Sequence, residues 1–182
     1  AAPYTAADPS IDYRTNIRNI GKLIDEVCQR LELEPPVILM EPGRSIVADS
    51  GMTLYTVTAV KQIPGFKNYA AVDGGMGDNP RYTLYQAAYT VLPASRMTDV
   101  SDFVCTVAGR CCESGDLIQE DVSLPKPQRG DLVAVLTTGA YNYSMASNYN
   151  RIPRPPVVMV GENGPYVAVR RETFEDIMGN DL

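Results

Sequence analysis

The sequence of 182 residues contains no histidine. Serine-histidine-aspartate and cysteine-histidine catalytic groups, and metal sites built on imidazole, are therefore excluded within this chain. The four cysteines form no Cys-x-x-Cys pair, and two of them, Cys111 and Cys112, are adjacent. This spacing indicates reduced thiols, so we predict neither a disulfide framework nor a metal site. Any chemistry must depend on carboxylates, thiols, tyrosines, arginines or a cofactor.

Long apolar runs and clusters of basic residues are also missing. No run approaches the roughly 20 apolar residues of a membrane-spanning helix, and the basic flank and apolar stretch of a signal peptide are not found at the start. Lysine and arginine total 16 against 22 aspartate and glutamate, which gives a formal net charge of −6. Nucleic acid and membrane surfaces are therefore poor candidate partners, and we expect a cytoplasmic protein.

The first 50 residues indicate one helix followed by one buried strand. Apolar residues from Ile17 to Leu31 recur at steps of three and four, which predicts an amphipathic helix over 13–31 with Asp12 as its N-cap. Residues 37–40 then form a continuous apolar run, typical of a strand buried in a parallel sheet. A helix followed by such a strand is one unit of an α/β layered or barrel fold.

After Gly51 the pattern changes to short β-rich segments separated by Gly, Pro, Asp and Asn, which indicates an antiparallel sandwich or barrel. The predicted strands cover 52–60, 69–73, 102–108, 131–137, 156–160 and 166–170. Short helices are expected near 81–89 and 172–178. We place the domain boundary near 49–51, which divides the chain into 1–50 and 51–182.

The segment Glu41-Pro42-Gly43-Arg44 follows the predicted buried strand, at the end where α/β active sites form. It brings a carboxylate beside a guanidinium, and the N–H groups of Gly43 and Arg44 are free to bind an anion such as phosphate. Taken alone, the segment is better explained as a tight turn, because Pro-Gly is common in loops.

A glycine-rich loop, residues 72–81, follows a predicted strand and lacks the spacing of dinucleotide or P-loop sites. Arg81 and Tyr85 are four residues apart, so they share a helical face that suits a carboxylate ligand. The alternative is a solvated arginine over a packed tyrosine.

Two later segments combine further polar groups. Residues 109–116 bring a thiol, a carboxylate and a hydroxyl together, although a cysteine is most often a small buried apolar residue. Residues 138–150 are rich in tyrosine, asparagine and small residues, which fits a polar pocket wall or an exposed aromatic loop equally well.

Four motifs, in this order, resemble the C-terminal half of the pyridoxal-phosphate (PLP) amino-acid decarboxylases with an alanine-racemase-like barrel. They are EPGR at 41–44, VDGGMGDNPRYTLY at 72–85, CESGD at 112–116 and GAYNYSMASNYN at 139–150. The resemblance is closest to the diaminopimelate decarboxylase family, because in ornithine decarboxylases aspartate typically follows the motif cysteine. Cys111 departs from the family pattern, because histidine or another residue is expected immediately before the motif cysteine. The alignment of the CESGD motif therefore depends on Cys112 as its cysteine.

The resemblance implies a mainly β fold. Residues 1–50 would supply the last helix and strand of a TIM-like (β/α)8 barrel, and 51–182 the C-terminal antiparallel sandwich or barrel domain. Such a barrel needs about 250 residues, so most of it, including the Schiff-base lysine and the phosphate-binding glycine loop, would lie in a missing N-terminal segment. None of the four lysines matches the Schiff-base position. We therefore expect this chain to be cut from a longer polypeptide and to be inactive alone.

The implied activity is the conversion of meso-diaminopimelate to L-lysine and CO2, with PLP as cofactor. Glu41 would face the pyridine nitrogen, the amides of Gly43 and Arg44 would hold the phosphate, and Tyr141 would contact cofactor and substrate. The implied ligands of the substrate's far carboxylate are Arg44, Arg81 and Tyr85.

Two residues are implied to act in the neighbouring subunit. Glu113 would bind the substrate's far ammonium, and Cys112 would be the catalytic proton donor. Both would enter the partner's site, which implies an obligate homodimer with shared active sites. The alternatives are a related arginine, ornithine or carboxynorspermidine decarboxylase, or a non-catalytic β-rich binding module.

Overall fold

The structure is a computed structural model that describes residues 3–182. Within them the α-helices are α1 (Tyr13–Arg30), α2 (Arg44–Val47), α3 (Arg81–Tyr85) and α4 (Phe174–Met178). The strands are β1 (Met52–Ile63), β2 (Lys67–Val72), β3 (Val91–Leu92), β4 (Phe103–Ala108), β5 (Leu117–Leu124), β6 (Leu132–Leu136), β7 (Val157–Gly161) and β8 (Gly164–Val169). Short 3-10 turns cover Ala48–Ser50, Tyr143–Met145 and Tyr149–Arg151. The predicted mainly β fold is confirmed.

Helix α1 forms where the apolar spacing predicts it. The Asp12 side chain accepts the Thr15 N–H at 3.2 Å and the Thr15 hydroxyl at 2.6 Å, so the predicted N-cap is present. The apolar face of the helix is nevertheless largely exposed, and Ile17 and Leu31 expose 55% and 56% of their surface. Only Cys28 is buried in this helix. The described part of the chain therefore leaves the apolar face mostly uncovered.

The strand predicted at 37–40 does not form, and this prediction was wrong for the structure described. The four residues pair with no other strand within residues 3–182, and Val37 and Leu39 are about nine-tenths exposed. A continuous apolar run is stable as a strand only between hydrogen-bonded neighbours. The described residues supply no such neighbours.

Six strands form one sheet in the order β3-β6-β1-β2-β4-β5, and β7 and β8 form a separate hairpin. Strand β1 is long enough to pair with two partners: Leu54 lies opposite Ala134 on β6, and Val60 opposite Ala70 on β2. The edge strands β3 and β5 come into contact. Next to β3, the Tyr89 N–H donates to the Gln119 side chain on β5 at 2.7 Å. The sheet is therefore barrel-like and nearly closed.

Four of the five strand pairs in the six-stranded sheet are antiparallel, as the predicted antiparallel domain requires, and one pair is parallel. Strands β2 and β4 run parallel, with Ala70 opposite Val107. A parallel pair needs a long crossover, and here residues 73–102 provide it with the glycine-rich loop, α3 and β3. Strands β3 and β5 had no counterpart among the predicted segments. Helix α3 ends at Tyr85, earlier than predicted, because Gln86 has a left-handed backbone conformation (φ 54°).

The core lies inside this sheet, and its fourteen buried residues all fall between Tyr55 and Val135. The pairing of strands at the centre brings together side chains with no exposed surface, among them Val57, Val107 and Ile118. No residue of α1 belongs to this cluster. The sheet therefore encloses its own apolar interior.

An ion pair joins the two segments that flank the C-terminal hairpin. Arg154 donates from Nε to Glu172 at 2.7 Å and from its backbone N–H at 2.8 Å. These hydrogen bonds lower the pKa of Glu172 to about 2. The pair is partly exposed and links the chain before β7 to the chain after β8.

No helix within residues 3–182 has both the length and the apolar content needed to cross a membrane.

We expect Val107→Ala to lower the free energy of unfolding by about 2 kcal/mol, because the lost methyl groups leave a cavity in a closed core. The matched control is Val104→Ala on the same strand, where the side chain is 50% exposed; we expect a loss below about 0.5 kcal/mol. Urea denaturation followed by circular dichroism measures both. Equal losses would contradict this account of the core.

Candidate functional site

Arg81 lies at the centre of a group of tyrosine rings. Its guanidinium carbon is 4.9 Å from the centre of the Tyr85 ring, 5.6 Å from that of Tyr141 and 5.8 Å from that of Tyr4. Arg81 and Tyr85 occupy one face of α3 because they are four residues apart. Cation–π contacts of this kind orient a guanidinium and leave it positively charged.

Tyr4 connects this group to Arg44. Its hydroxyl accepts hydrogen bonds from Nη2 and Nε of Arg81 at 2.6 and 3.1 Å. The Arg44 guanidinium carbon is 3.2 Å from the centre of the Tyr4 ring, and Tyr89 packs edge-on against that ring with the centroids 5.3 Å apart. Tyr4 lies in an opening loop that carries none of the four motifs, so no sequence pattern predicted its role. One tyrosine therefore orients two guanidinium groups.

Tyr141 reaches the turn that contains Gly43. A Cβ atom on Gly43 would be 1.8 Å from the Tyr141 hydroxyl, so only glycine leaves room for this approach. Tyr141 itself has a left-handed backbone (φ 61°), which is uncommon for a non-glycine residue. The two segments are held together nearby, since the Gly139 N–H donates to the Ala48 carbonyl at 3.0 Å. The predicted residues Gly43, Arg44, Arg81, Tyr85 and Tyr141 thus form one cluster, which we call the arginine–tyrosine cluster.

Glu41 lies two residues from this cluster and is exposed. Within residues 3–182 its carboxylate has no hydrogen bond or ion pair. The carboxylate is therefore available to a ligand.

Asp78, within the glycine-rich loop, fixes the loop through two hydrogen bonds. The Tyr55 hydroxyl donates to Asp78 Oδ2 at 2.5 Å, and the Gly75 N–H donates to Oδ1 at 2.9 Å. Burial raises the pKa of Asp78, and burial together with the adjacent Asp78 raises the pKa of Tyr55. These residues fix the start of the loop that leads to Arg81.

Cys112 and Glu113 form a second group. The Tyr149 hydroxyl donates to Glu113 Oε1, and the Cys112 thiol lies 3.7 Å from the same oxygen. The hydrogen bond from Tyr149 lowers the pKa of Glu113 and raises that of Tyr149 to about 12. Glu113 Oε2 is buried and has no hydrogen-bond partner within residues 3–182. A buried acceptor without a partner is costly, so this oxygen is suited to receive an ammonium group.

The two adjacent cysteines differ in their surroundings. Burial, with a smaller contribution from Asp116, raises the pKa of Cys111 to about 11. Cys112 is exposed. Its side chain is therefore the more accessible of the two thiols.

The structure brings the predicted residues together as two groups. In the part of the chain that is described, no hydrogen bond, ion pair or ring contact joins Cys112 or Glu113 to the arginine–tyrosine cluster. One copy of the chain thus presents the cluster and the thiol–carboxylate pair separately. Across the same residues no group of three or more Cys, Asp or Glu side chains is arranged to hold a metal ion.

Comparison with known proteins gives one family. Residues 12–139 match the family model described as the pyridoxal-dependent decarboxylase, C-terminal sheet domain. The chain is similar to the diaminopimelate decarboxylase of Bacillus subtilis, with 48% identity over 179 residues that cover 98% of this chain and 41% of the relative. The diaminopimelate decarboxylase of Synechocystis is 43% identical over 98% of this chain and 38% of its own length. The chain thus spans about 40% of the length of these relatives.

A solved structure supports the same likeness. Diaminopimelate decarboxylase from M. jannaschii in co-complex with L-lysine superposes with a TM-score of 0.83 and 31% identity, covering 99% of this chain and 40% of that one. The similarity therefore includes the segments that carry both groups of polar residues.

We expect Tyr149→Phe to raise the pKa of Glu113 toward its ordinary value, because the hydrogen bond from the hydroxyl favours the charged carboxylate. That hydrogen bond stabilises the fold above the ordinary pKa of Glu113, and its contribution is lost as pH falls through the lowered pKa. A carbon-13 NMR titration of the carboxyl groups measures the shift. Tyr166→Phe, in the separate hairpin, is the control; an unchanged Glu113 pKa in Tyr149→Phe would refute the assignment.

Proposed function

We propose a function from one premise: the chain belongs to the pyridoxal-dependent decarboxylase family and contains the C-terminal sheet domain of that family. Its proposed role is to complete a PLP-dependent enzyme that converts meso-diaminopimelate to L-lysine and CO2, a step of lysine biosynthesis. One observation carries the proposal. The chain presents two oriented guanidinium groups, Arg44 and Arg81, and a carboxylate, Glu113, whose buried oxygen has no partner in the described residues.

The proposed substrate has a carboxylate and an ammonium at the end remote from the reacting carbon. A site for it needs receptors of both charges. Arg44, Arg81 and Tyr85 are proposed to bind the remote carboxylate, because guanidinium groups match carboxylate geometry. Glu113 is proposed to bind the remote ammonium through its buried oxygen. The relatives named diaminopimelate decarboxylase, and the relative solved with L-lysine, support this choice.

The residues present fit a PLP group. PLP, when bound, accepts the electron pair left on the α-carbon as CO2 departs. Glu41 is exposed and has no partner within residues 3–182, so its carboxylate can face a protonated pyridine nitrogen and favour its charge. The N–H groups of Gly43 and Arg44 would assist in holding the phosphate. Tyr141 would contact both cofactor and substrate from its position against Gly43.

Cys112 is proposed to deliver a proton to the α-carbon after CO2 has left. Its thiol is exposed, whereas burial raises the pKa of Cys111 to about 11, which makes Cys111 a weaker acid than an ordinary thiol. Cys112 and Glu113 are proposed to enter the active site of a second copy of the chain. This arrangement accounts for the separation of the two groups within one copy, and it implies an obligate homodimer.

The exposed apolar surface supports a further domain. We propose that 1–50 is the end of a (β/α)8 barrel and 51–182 the β domain. The apolar face of α1 and the run at 37–40 would then pack against the barrel strands and helices found in the part of the relatives that this chain does not span. That part would also supply the Schiff-base lysine. The complete enzyme is proposed to act in the cytoplasm.

The test is a substrate panel assayed with the complete polypeptide that carries this chain. We expect CO2 release from meso-diaminopimelate, with a kcat/KM at least about 100-fold above those for arginine, ornithine and carboxynorspermidine, because only diaminopimelate offers both charges to Glu113 and the arginines. A higher kcat/KM for any of the other three compounds would identify that compound as the substrate in place of meso-diaminopimelate. No release from any of them, by a protein that carries no PLP, would favour a binding module.

In the complete enzyme, we expect Cys112→Ala to lower kcat by about 100-fold or more, because a positioned proton donor contributes about 10²–10⁴-fold. Bound PLP, measured by its absorbance, stays at the level of the unmodified protein. The matched control is Cys111→Ala, which removes the neighbouring thiol and leaves kcat within about twofold. A kcat that is unchanged in Cys112→Ala would remove this residue from the reaction.

A further inference from the structure

Asp116 is a buried carboxylate to which the proposed mechanism gives no role. Its exposed fraction is 2%. Oδ1 accepts the Met76 N–H at 2.6 Å, and Oδ2 accepts the Cys111 N–H at 2.7 Å. Met76 lies in the glycine-rich loop before Arg81, and Cys111 precedes Cys112. One side chain therefore bridges the two loops that carry the two groups of site residues.

Two glycines leave the space that this carboxylate occupies. A Cβ atom on Gly109 would be 2.2 Å from both carboxylate oxygens of Asp116. A Cβ atom on Gly75 would be 2.5 Å from Oδ1, and Gly75 has a φ of 157°, which favours glycine. Side chains at these positions would expel Asp116. The backbone on both sides is thus adapted to one carboxylate.

The backbone of Asp116 closes the loop on the cysteine side. The Asp116 N–H donates to the Glu113 carbonyl at 3.0 Å, and its carbonyl accepts the Gly109 N–H at 2.8 Å. The Arg110 N–H also donates to the Gly74 carbonyl at 3.1 Å, which gives a second link between the loops. The segment that carries Cys112 and Glu113 is therefore folded around Asp116.

Two backbone amides donate to this carboxylate, and the Cys111 thiol also contacts it. Within residues 3–182 no lysine or arginine side chain donates to Asp116. Hydrogen bonds from N–H groups to a carboxylate are shorter and about twice as strong as those between neutral groups. Because each one fixes a backbone position, together they set the position of one loop relative to the other.

We propose that Asp116 is a positioning residue that holds the Cys112–Glu113 segment at a set place relative to the loop leading to Arg81. The inference rests on the proposed function for its effect on turnover, and on the hydrogen bonds alone for its effect on the loops. Asp116 does not touch the substrate. It acts through the placement of the Cys112 thiol.

The first test measures amide hydrogen exchange in the complete polypeptide. The Met76 and Cys111 amides lie in loops, yet we expect them to exchange at least about tenfold more slowly than the amide of Arg129, which lies in an exposed loop and donates no backbone hydrogen bond within residues 3–182. Asp116→Asn should remove this protection from at least one of the two amides, because the side-chain amide offers only one acceptor oxygen and turns an N–H2 donor toward the other N–H. Fast exchange in the unmodified protein would overturn the proposal, whether or not the protein decarboxylates anything.

The second test is a double-mutant cycle on kcat. Asp116→Asn should lower kcat by about tenfold to 100-fold, the effect expected from loss of a hydrogen bond to a charged group. In the Cys112→Ala background the same substitution should lower kcat no further, because the thiol that it positions is gone. Asp102→Asn, an exposed aspartate before β4, is the control and keeps kcat within about twofold. A full additional loss in the Cys112→Ala background, or no loss in the single variant, would contradict the positioning role.

The two tests separate the inference from the proposed function. If the unmodified protein releases no CO2 from meso-diaminopimelate while the Met76 and Cys111 amides are protected and at least one of them loses that protection in Asp116→Asn, the proposed function fails and the loop contact stands. If CO2 is released and these amides exchange freely, the proposed function stands and the loop contact fails.

Discussion

Gly75 lies between two carboxylates. Its N–H donates to Asp78 at 2.9 Å, and the oxygens of Asp116 fill the space on its other side, where a Cβ atom would be 2.5 Å away. Asp78 is in turn bound by the Tyr55 hydroxyl, which belongs to the sheet core. The loop that leads to Arg81 is therefore fixed to the interior of the sheet. Both groups of site residues depend on this attachment, because Asp116 also holds the segment that carries Cys112.

Charge is distributed unevenly over the two groups. The arginine–tyrosine cluster is cationic, and its guanidinium groups are oriented by rings and by the Tyr4 hydroxyl. The second group is anionic, with Glu113 kept charged by the hydrogen bond from Tyr149, which lowers its pKa. Receptors of opposite sign on separate surfaces suit a ligand that carries a carboxylate and an ammonium at one end and lies between two copies of the chain. This arrangement is why the proposed substrate and the proposed dimer support each other.

Local patterns in the sequence predicted much of this structure. Helix α1 and its Asp12 cap, six strands and the Arg81–Tyr85 contact all follow from spacings of two, three or four residues. What was missed depends on contacts between residues far apart in sequence. Tyr4 is 77 residues from Arg81, and Asp116 is 40 residues from Met76. The apolar run at 37–40 was predicted as a buried strand and is exposed in the structure. Its composition indicates burial, but the described residues contain no strand that pairs with it.

The parallel pairing of β2 and β4 has a consequence for the order of folding. Strand β1 meets β2 through a short turn, a local event with a small entropic cost. Strand β4 can join β2 only after the 73–102 crossover has closed, and Asp116 follows β4 in the chain. Pairings between residues far apart in sequence are slow to form. We therefore expect the contact between Asp116 and the glycine-rich loop to form late in folding, after the hydrophobic interior has been assembled.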